Sequence, residues 1–199
     1  MKEKRNNILE EVSHLYIKYG IKSVTMDDVS RELGISKKTL YNFFSDKNDL
    51  VKNVISYQIN KQTNKSFEII KQKHNSIDVL LEASKHIIKF METFNPSIRH
   101  DLQKYYPDVL KILKEHRRKH IFENIRANII QGIKEGLYRK NLNPDIISSI
   151  YVSRLEILFN YEYFPSDKFE FSTIFDEMFK YHIRGIASKK GIEYYESKM

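Results

Sequence analysis

The clearest chemistry in the chain lies on a predicted short helix after Ile35 whose two faces differ. Its polar face carries Lys37, Lys38, Tyr41 and Asn42. Its apolar face carries Leu40, Phe43 and Phe44, spaced three and four residues apart so that they pack inward. Ammonium, hydroxyl and amide groups suit phosphate oxygens and base edges, so the polar face indicates contact with a nucleic acid.

Capping signals define the elements that hold this face. Thr25 is a predicted N-cap, with Asp28 as its capping-box partner. Gly34 allows the positive φ that ends this first short helix in a tight turn, and Ser36 begins the second. Two short capped helices, a glycine turn and an outward polar stripe are typical of a helix-turn-helix. We therefore expect a DNA-binding domain over residues 1–46, including one helix before these two.

This part of the sequence resembles the TetR/AcrR family of transcription regulators, from the first helix to Leu50. The similarity is carried by Tyr19-Gly20, Thr25, Gly34-Ile35-Ser36-Lys37, Thr39-Leu40-Tyr41, Phe44 and Lys47. The resemblance implies phosphate contacts from Thr25, Tyr41 and Lys47, and contacts to bases or adjacent phosphates from Ser36, Lys37, Lys38, Thr39 and Asn42. At Phe43 the family commonly has Tyr or His, so one phosphate contact is expected to be missing. The alternative for Lys37, Lys38 or Asn42 individually is a solvated surface residue.

Bulk composition indicates an all-α globular protein. The 199 residues are 41% hydrophobic and include only 6 Gly, 4 Pro and no Cys. Net charge is +8, but residues 1–50 contain nine Lys and Arg against eight Asp and Glu, a net of +1. Overall charge therefore adds little to the case for a polyanionic partner. With neither a bilayer-length apolar run nor a signal-peptide pattern, we expect a cytoplasmic protein.

Apolar periodicity and breakers predict about nine helices. The expected ranges are 4–19, 26–33, 37–44, 46–73, 77–93, 98–104, 107–135, 144–161 and 172–187. Ser45 is the expected cap of the fourth helix, and Asn143 with Pro144 the start of the eighth. The polar tail from Ser188 is expected to fray. The helices within 47–199 would form a larger ligand-binding and dimerisation domain.

A dimer has to present two DNA-binding domains to the two half-sites of an operator. The last two long helices are the expected dimer interface. The candidate interface residues are Ile150, Leu158, Phe159, Phe175, Phe179, His182 and Ile186. The alternative is that these side chains serve only the core of one subunit.

The resemblance also implies a small-molecule cavity within the middle helices. Its candidate lining residues are Phe67, Phe90, Met91, Phe94, Tyr105, Phe122, Arg126, Tyr151 and Arg154. An inward Arg154 would need an anionic partner such as Glu156 or an acidic ligand. The alternative is that the Arg154 side chain extends to solvent.

The leading hypothesis is a ligand-responsive repressor that binds a palindromic operator as a homodimer. The alternative is an activator or a constitutive DNA-binding protein without an inducer. No cofactor is expected, since the chain has no glycine-rich phosphate loop, and no catalytic dyad supports an enzyme. His116 and His120 are four residues apart, but the three basic residues between them disfavour a metal.

Overall fold

The computed structural model describes residues 2–71, 75–92, 96–158, 163–165 and 168–198, and for 62–71, 90, 92, 96 and 117 it describes the backbone alone. Within these ranges the fold is all-α, as predicted, with one isolated antiparallel bridge between Tyr138 and Ala187. The helices are α1 Lys2–Tyr19, α2 Met26–Glu32, α3 Lys37–Tyr41, α4 Lys47–Lys71, α5 Ser76–Glu92, α6 Pro96–Tyr105, α7 Pro107–Lys134, α8 Pro144–Ile157, α9 Phe171–Ile186 and α10 Lys189–Glu196.

Helix α4 begins one residue later than its predicted cap implies. Asp46 is the residue that caps it, because its Oδ1 accepts the Asp49 amide at 2.8 Å. The Ser45 amide instead donates to Asp49 Oδ2 at 3.0 Å. The prediction that Ser45 caps this helix was therefore wrong, and a neighbouring carboxylate, an equally good acceptor, takes the role.

The C-terminal segment forms a tenth helix, so the expectation of a frayed tail from Ser188 was wrong. The Ser188 hydroxyl caps α10 by accepting the Gly191 amide at 3.1 Å. Tyr195 is only 2% exposed. Gly191 packs so closely on Leu137 that an added Cβ would lie 2.0 Å from its carbonyl oxygen. Burial and this close approach hold a segment whose composition is polar.

The chain forms two compact units, each with its own hydrophobic core. The first comprises Met1–Asn64 and Thr93–Arg117, and the second Lys65–Glu92 and Arg118–Met199. The first core includes Val12, Ile21, Val29, Leu40 and Val51. The second includes Ile77, Ile129, Phe175 and Ile183. The predicted functional division between residues 1–46 and 47–199 stays a prediction.

Neither a membrane-crossing helix nor a metal-binding cluster occurs among the described residues. No helix among them has both the length and the apolar content required to cross a membrane. Within the same ranges, no three His, Asp or Glu side chains gather as a metal site would require.

Candidate nucleic-acid interface

A reciprocal cap fixes the start of α2. The Asp28 amide donates to Thr25 Oγ1 at 3.1 Å, and the Thr25 amide and hydroxyl donate to Asp28 Oδ2 at 3.0 and 2.6 Å. The hydroxyl bond, followed by the amide bond, lowers the pKa of Asp28. The carboxylate thus stays charged at neutral pH and keeps the cap closed, with the Thr25 hydroxyl proton directed at Asp28.

The turn between α2 and α3 depends on Gly34, whose φ is 61°. That left-handed conformation is strained for residues with a Cβ. Ser36 then caps α3, since its Oγ accepts the Thr39 amide at 3.0 Å. The helix is five residues long and ends at Tyr41, three residues before the predicted end at Phe44. The two helices therefore join through a short, well-defined turn.

The inward side of this segment matches the prediction, although part of it lies beyond the helix. Leu40 is fully buried and Phe44 is 1% exposed. Phe43 is half-buried and packs against the first core. Because these side chains anchor one side of α3, the opposite side is turned outward.

The outward side carries the predicted polar residues. Lys38 and Asn42 are exposed, and Tyr41 is 48% exposed. Lys37 is exposed but pairs with Asp27, with Nζ 2.7 Å from Oδ2. An ion pair this exposed contributes little stability, so Lys37 can exchange Asp27 for a phosphate at small cost. The sequence patterns did not reveal Asp27 as a partner.

Lys47 is half-buried at the start of α4. Its ammonium donates to the Lys22 carbonyl oxygen at 3.0 Å. Burial lowers the pKa of Lys47, and the carboxylates of Asp101 and Asp28 oppose that shift. An ammonium has three donors, so two remain for other acceptors.

Six of the nine candidate ligand residues have described side chains. Phe67, Phe90 and Phe94 lie outside the described residues or side chains. In the second unit, Met91 and Phe122 are half-buried and Tyr151 is buried.

Two further candidates are held by other partners at the surface. Tyr105 belongs to the first unit, is exposed, and accepts a hydrogen bond from Lys22 Nζ at 2.7 Å. Arg126 is exposed and pairs with Asp145 at 2.7 Å. These two residues do not match the expected cavity lining, because the Tyr105 hydroxyl and the Arg126 guanidinium each bond to a neighbour at the surface.

Arg154 takes the exposed alternative. Glu156 is bonded instead to Arg118, at 3.0 and 2.9 Å. Arg154 and Glu177 border a cleft of about 250 Å³ in the second unit. Its apolar wall consists of Ile157, Leu158, Phe164, Ile174 and Met178.

Most of the candidate interface residues lie in the core of a single protomer. Leu158, Phe175, Phe179, His182 and Ile186 are each at most 8% exposed. These five side chains have little surface left for a partner subunit. This agrees with the alternative that they serve only the core of one subunit. Phe159 lies outside the described residues.

Ile150 is the exception, at 43% exposure, and it belongs to an apolar stripe on α8. Ile146, four residues before Ile150, is 57% exposed, and Ile157, seven residues after it, is 45% exposed. Tyr181 on α9 is 73% exposed. Ile146 is one of the apolar residues that mark α8 as a predicted dimerisation helix, whereas Ile157 and Tyr181 were not predicted. The spacing in α8 was a usable signal, since it marks a second apolar face beside the buried one.

Comparisons with known proteins agree with this geometry. The family described as "Bacterial regulatory proteins, tetR family" matches residues 8–54. The HTH-type transcriptional regulator YvaF of Bacillus subtilis strain 168 is 26% identical over 184 residues, covering 91% of this chain and 94% of YvaF.

Solved structures share the fold. A TetR-family regulator from Agrobacterium tumefaciens superposes with a TM-score of 0.69 at 16% identity, over 94% of this chain and 99% of that one. FadR from Bacillus subtilis, solved with stearoyl-CoA, gives a TM-score of 0.62 at 14% identity, over 90% and 97%.

The capped helices, the glycine turn and the matching relatives define a helix-turn-helix transcriptional regulator and not an enzyme. More specifically, its helix-turn-helix domain, residues 8–54, is that of the TetR family of bacterial regulators.

Proposed function

We propose that this regulator is a ligand-responsive repressor that binds a palindromic operator as a homodimer, in the cytoplasm where bacterial DNA lies. The observation that carries the proposal is the outward face of α3, with Lys38, Tyr41 and Asn42 exposed over a buried Leu40. A short helix anchored on one side and polar on the other fits the major groove.

The exposed groups divide by chemistry. Asn42 has the amide that pairs with adenine, and Lys38 can donate to guanine O6 and N7 or to a phosphate. Ser36, Thr39 and Tyr41 supply hydroxyls for neighbouring acceptors.

Three further residues contact phosphates in this proposal. Lys37 leaves Asp27 for a phosphate, and Lys47 uses a donor that the Lys22 carbonyl leaves open. Thr25 makes its contact by redirecting the hydroxyl that now donates to Asp28. These contacts orient the helix without selecting a sequence.

The homodimer forms through the exposed stripe of Ile146, Ile150 and Ile157 on α8, and the exposed Tyr181 on α9 is a further candidate. Clustered exposed apolar side chains are typical of protein interfaces. A two-fold axis presents the same patch from both copies, so one stripe serves both sides. A dimer that binds a palindromic operator has to present its two DNA-binding domains to half-sites about 34–36 Å apart.

The effector binds in the second unit, where Met91, Phe122 and Tyr151 remain the candidate lining residues. FadR was solved with stearoyl-CoA, which supports a small-molecule site in this fold. An effector releases DNA only if it prefers a dimer geometry whose heads no longer match the half-sites.

The DNA proposal is tested by gel shift and footprinting on the DNA upstream of the protein's own operon. Lys38→Ala and Asn42→Ala weaken binding to the protected sequence, whereas Lys111→Ala, which removes an exposed charge from α7, leaves it unchanged. The absence of sequence-dependent binding by the wild-type protein at low salt contradicts the proposal. Wild-type binding with no loss in either α3 variant contradicts the role of α3.

The effector proposal is tested on the same footprinted duplex. A panel of small molecules is screened for release of the wild-type protein from DNA. A hit is then titrated against Tyr151→Phe and against a second variant, Ile112→Ala, which alters the first unit. Release that is weakened in the Tyr151 variant alone supports the site, and equal release in both contradicts it.

A further inference from the structure

The C-terminal end of α3 is held from the first turn of α1. Arg5 lies there, with its guanidinium carbon 5.3 Å from the centroid of the Phe44 ring. Phe44 is 1% exposed and follows α3 by three residues. A cation over an aromatic face is attracted by the ring quadrupole, so Arg5 fixes the ring that anchors the end of the helix.

A hydrogen-bonded chain joins the same arginine to the backbone beside Phe44. Arg5 Nη2 donates to Asn53 Oδ1 at 2.6 Å, and Asn53 Nδ2 donates to Asp49 Oδ1 at 2.7 Å. Asp49 Oδ2 in turn accepts the Ser45 amide at 3.0 Å. Arg5 therefore holds the turn after α3 from two sides, through the Phe44 ring and through the Ser45 backbone.

The orientation of α3 needs such support because the helix is only five residues long. A helix of this length is not stable by itself, and its direction is set by contacts at its two ends. Ser36 holds the N-terminal end. The turn from Asn42 to Asp46 holds the other end, next to the exposed Tyr41 and Asn42.

We propose that Arg5 is a positioning residue that aims α3 at the bases and so determines sequence discrimination. The inference rests on the proposed use of α3 for base recognition. It separates Arg5 from residues that contact phosphates, because a phosphate contact strengthens binding to every sequence equally.

The experiment compares two duplexes by fluorescence anisotropy over a series of salt concentrations. One duplex is selected in vitro with the full-length wild-type protein, and the other is a shuffled sequence of the same length. The variants are Arg5→Gln, Asn53→Ala and the double variant, with Lys4→Gln as the matched control that removes a neighbouring exposed charge. The ratio of the two affinities is the readout, because a partly unfolded preparation lowers both affinities equally.

We expect Arg5→Gln to lower the affinity ratio roughly tenfold, as the loss of one well-placed base contact does, with an unchanged salt slope. Asn53→Ala lowers the ratio as well, and the double variant loses less than the sum because both act through one network. Lys4→Gln keeps the wild-type ratio.

Three results overturn the proposal. The first is an unchanged ratio in Arg5→Gln. The second is an equal loss on both duplexes with a salt slope lower by about one, which identifies a phosphate contact. The third is the same loss of ratio in Lys4→Gln. A wild-type protein that selects no sequence overturns the proposed function itself, and that outcome is visible before any variant is made.

Discussion

The imidazole of His182 is expected to make the stability of this protein depend on pH. His182 is 6% exposed, and its Nε2 has no hydrogen-bond partner among the described residues. Its ring lies against Tyr151, with centroids 4.5 Å apart. Burial lowers the pKa of His182 to about 4, and the positive charge of Arg154 adds to that effect. The folded protein therefore keeps this ring neutral well below pH 7.

The sign and size of the effect follow from the two pKa values. In the unfolded chain the ring takes up a proton near its ordinary pKa of 6.5, whereas the folded protein resists protonation down to about 4. The unfolded state binds more protons in this range, so the free energy of unfolding falls as the pH is lowered from 7 to 4. At about 1.36 kcal/mol per pKa unit, the His182 contribution to this loss reaches about 3 kcal/mol.

Urea unfolding followed by circular dichroism measures this contribution at several pH values and one protein concentration. His182→Phe keeps an aromatic ring beside Tyr151 and cannot titrate, so its loss of stability between pH 7 and 4 is smaller than that of the wild type by about 3 kcal/mol. His14→Gln replaces a histidine whose side chain is 60% exposed and follows the wild-type curve. Parallel curves for His182→Phe and the wild type refute the reasoning.

Three further expectations concern the interface, a turn and a buried hydrogen bond. Ile150→Asp puts a charge into the proposed dimer stripe and shifts the protein from dimer towards monomer in analytical ultracentrifugation. Ile112→Asp, at a similarly exposed site, does not. A wild-type protein that sediments as a monomer contradicts this prediction. Gly34→Ala lowers the free energy of unfolding by about 1 kcal/mol, because a residue with a Cβ is strained at a φ of 61°. Nothing lies within 4 Å of the added Cβ, so no steric clash contributes. An unchanged midpoint of urea unfolding argues against the strain. Tyr138→Phe leaves Asn128 Oδ1 without its 2.9 Å partner and costs about 1–3 kcal/mol by urea unfolding, and a neutral result rules that bond out.

The features that the sequence predicted correctly depend on neighbours along the chain. Thr25 and Asp28 are three residues apart, so their cap follows from a local rule. Asn143 followed by Pro144 marks the start of α8 in the same way. The family resemblance located the helix-turn-helix because its motif is also local.

The features that were missed depend on packing between distant segments. The pairing of Lys37 with Asp27 requires the geometry of two helices joined by a turn. Helix α10 has only eight residues, too few for a clear apolar period, and it forms because Tyr195 is buried and Gly191 meets Leu137. The α8 helix has two apolar faces, and only the fold determines which one is covered.

The small net charge of the N-terminal segment that contains α3 has a consequence for how we expect the protein to search a chromosome. Residues 1–50 have a net charge of only +1, and Lys37 is paired with Asp27. Complexes with unrelated DNA are held almost wholly by displaced counterions, so a head with few such charges leaves those sites quickly. We therefore expect fewer molecules to be held at unrelated sites along the genome, so that a small number of copies is sufficient to occupy a specific site.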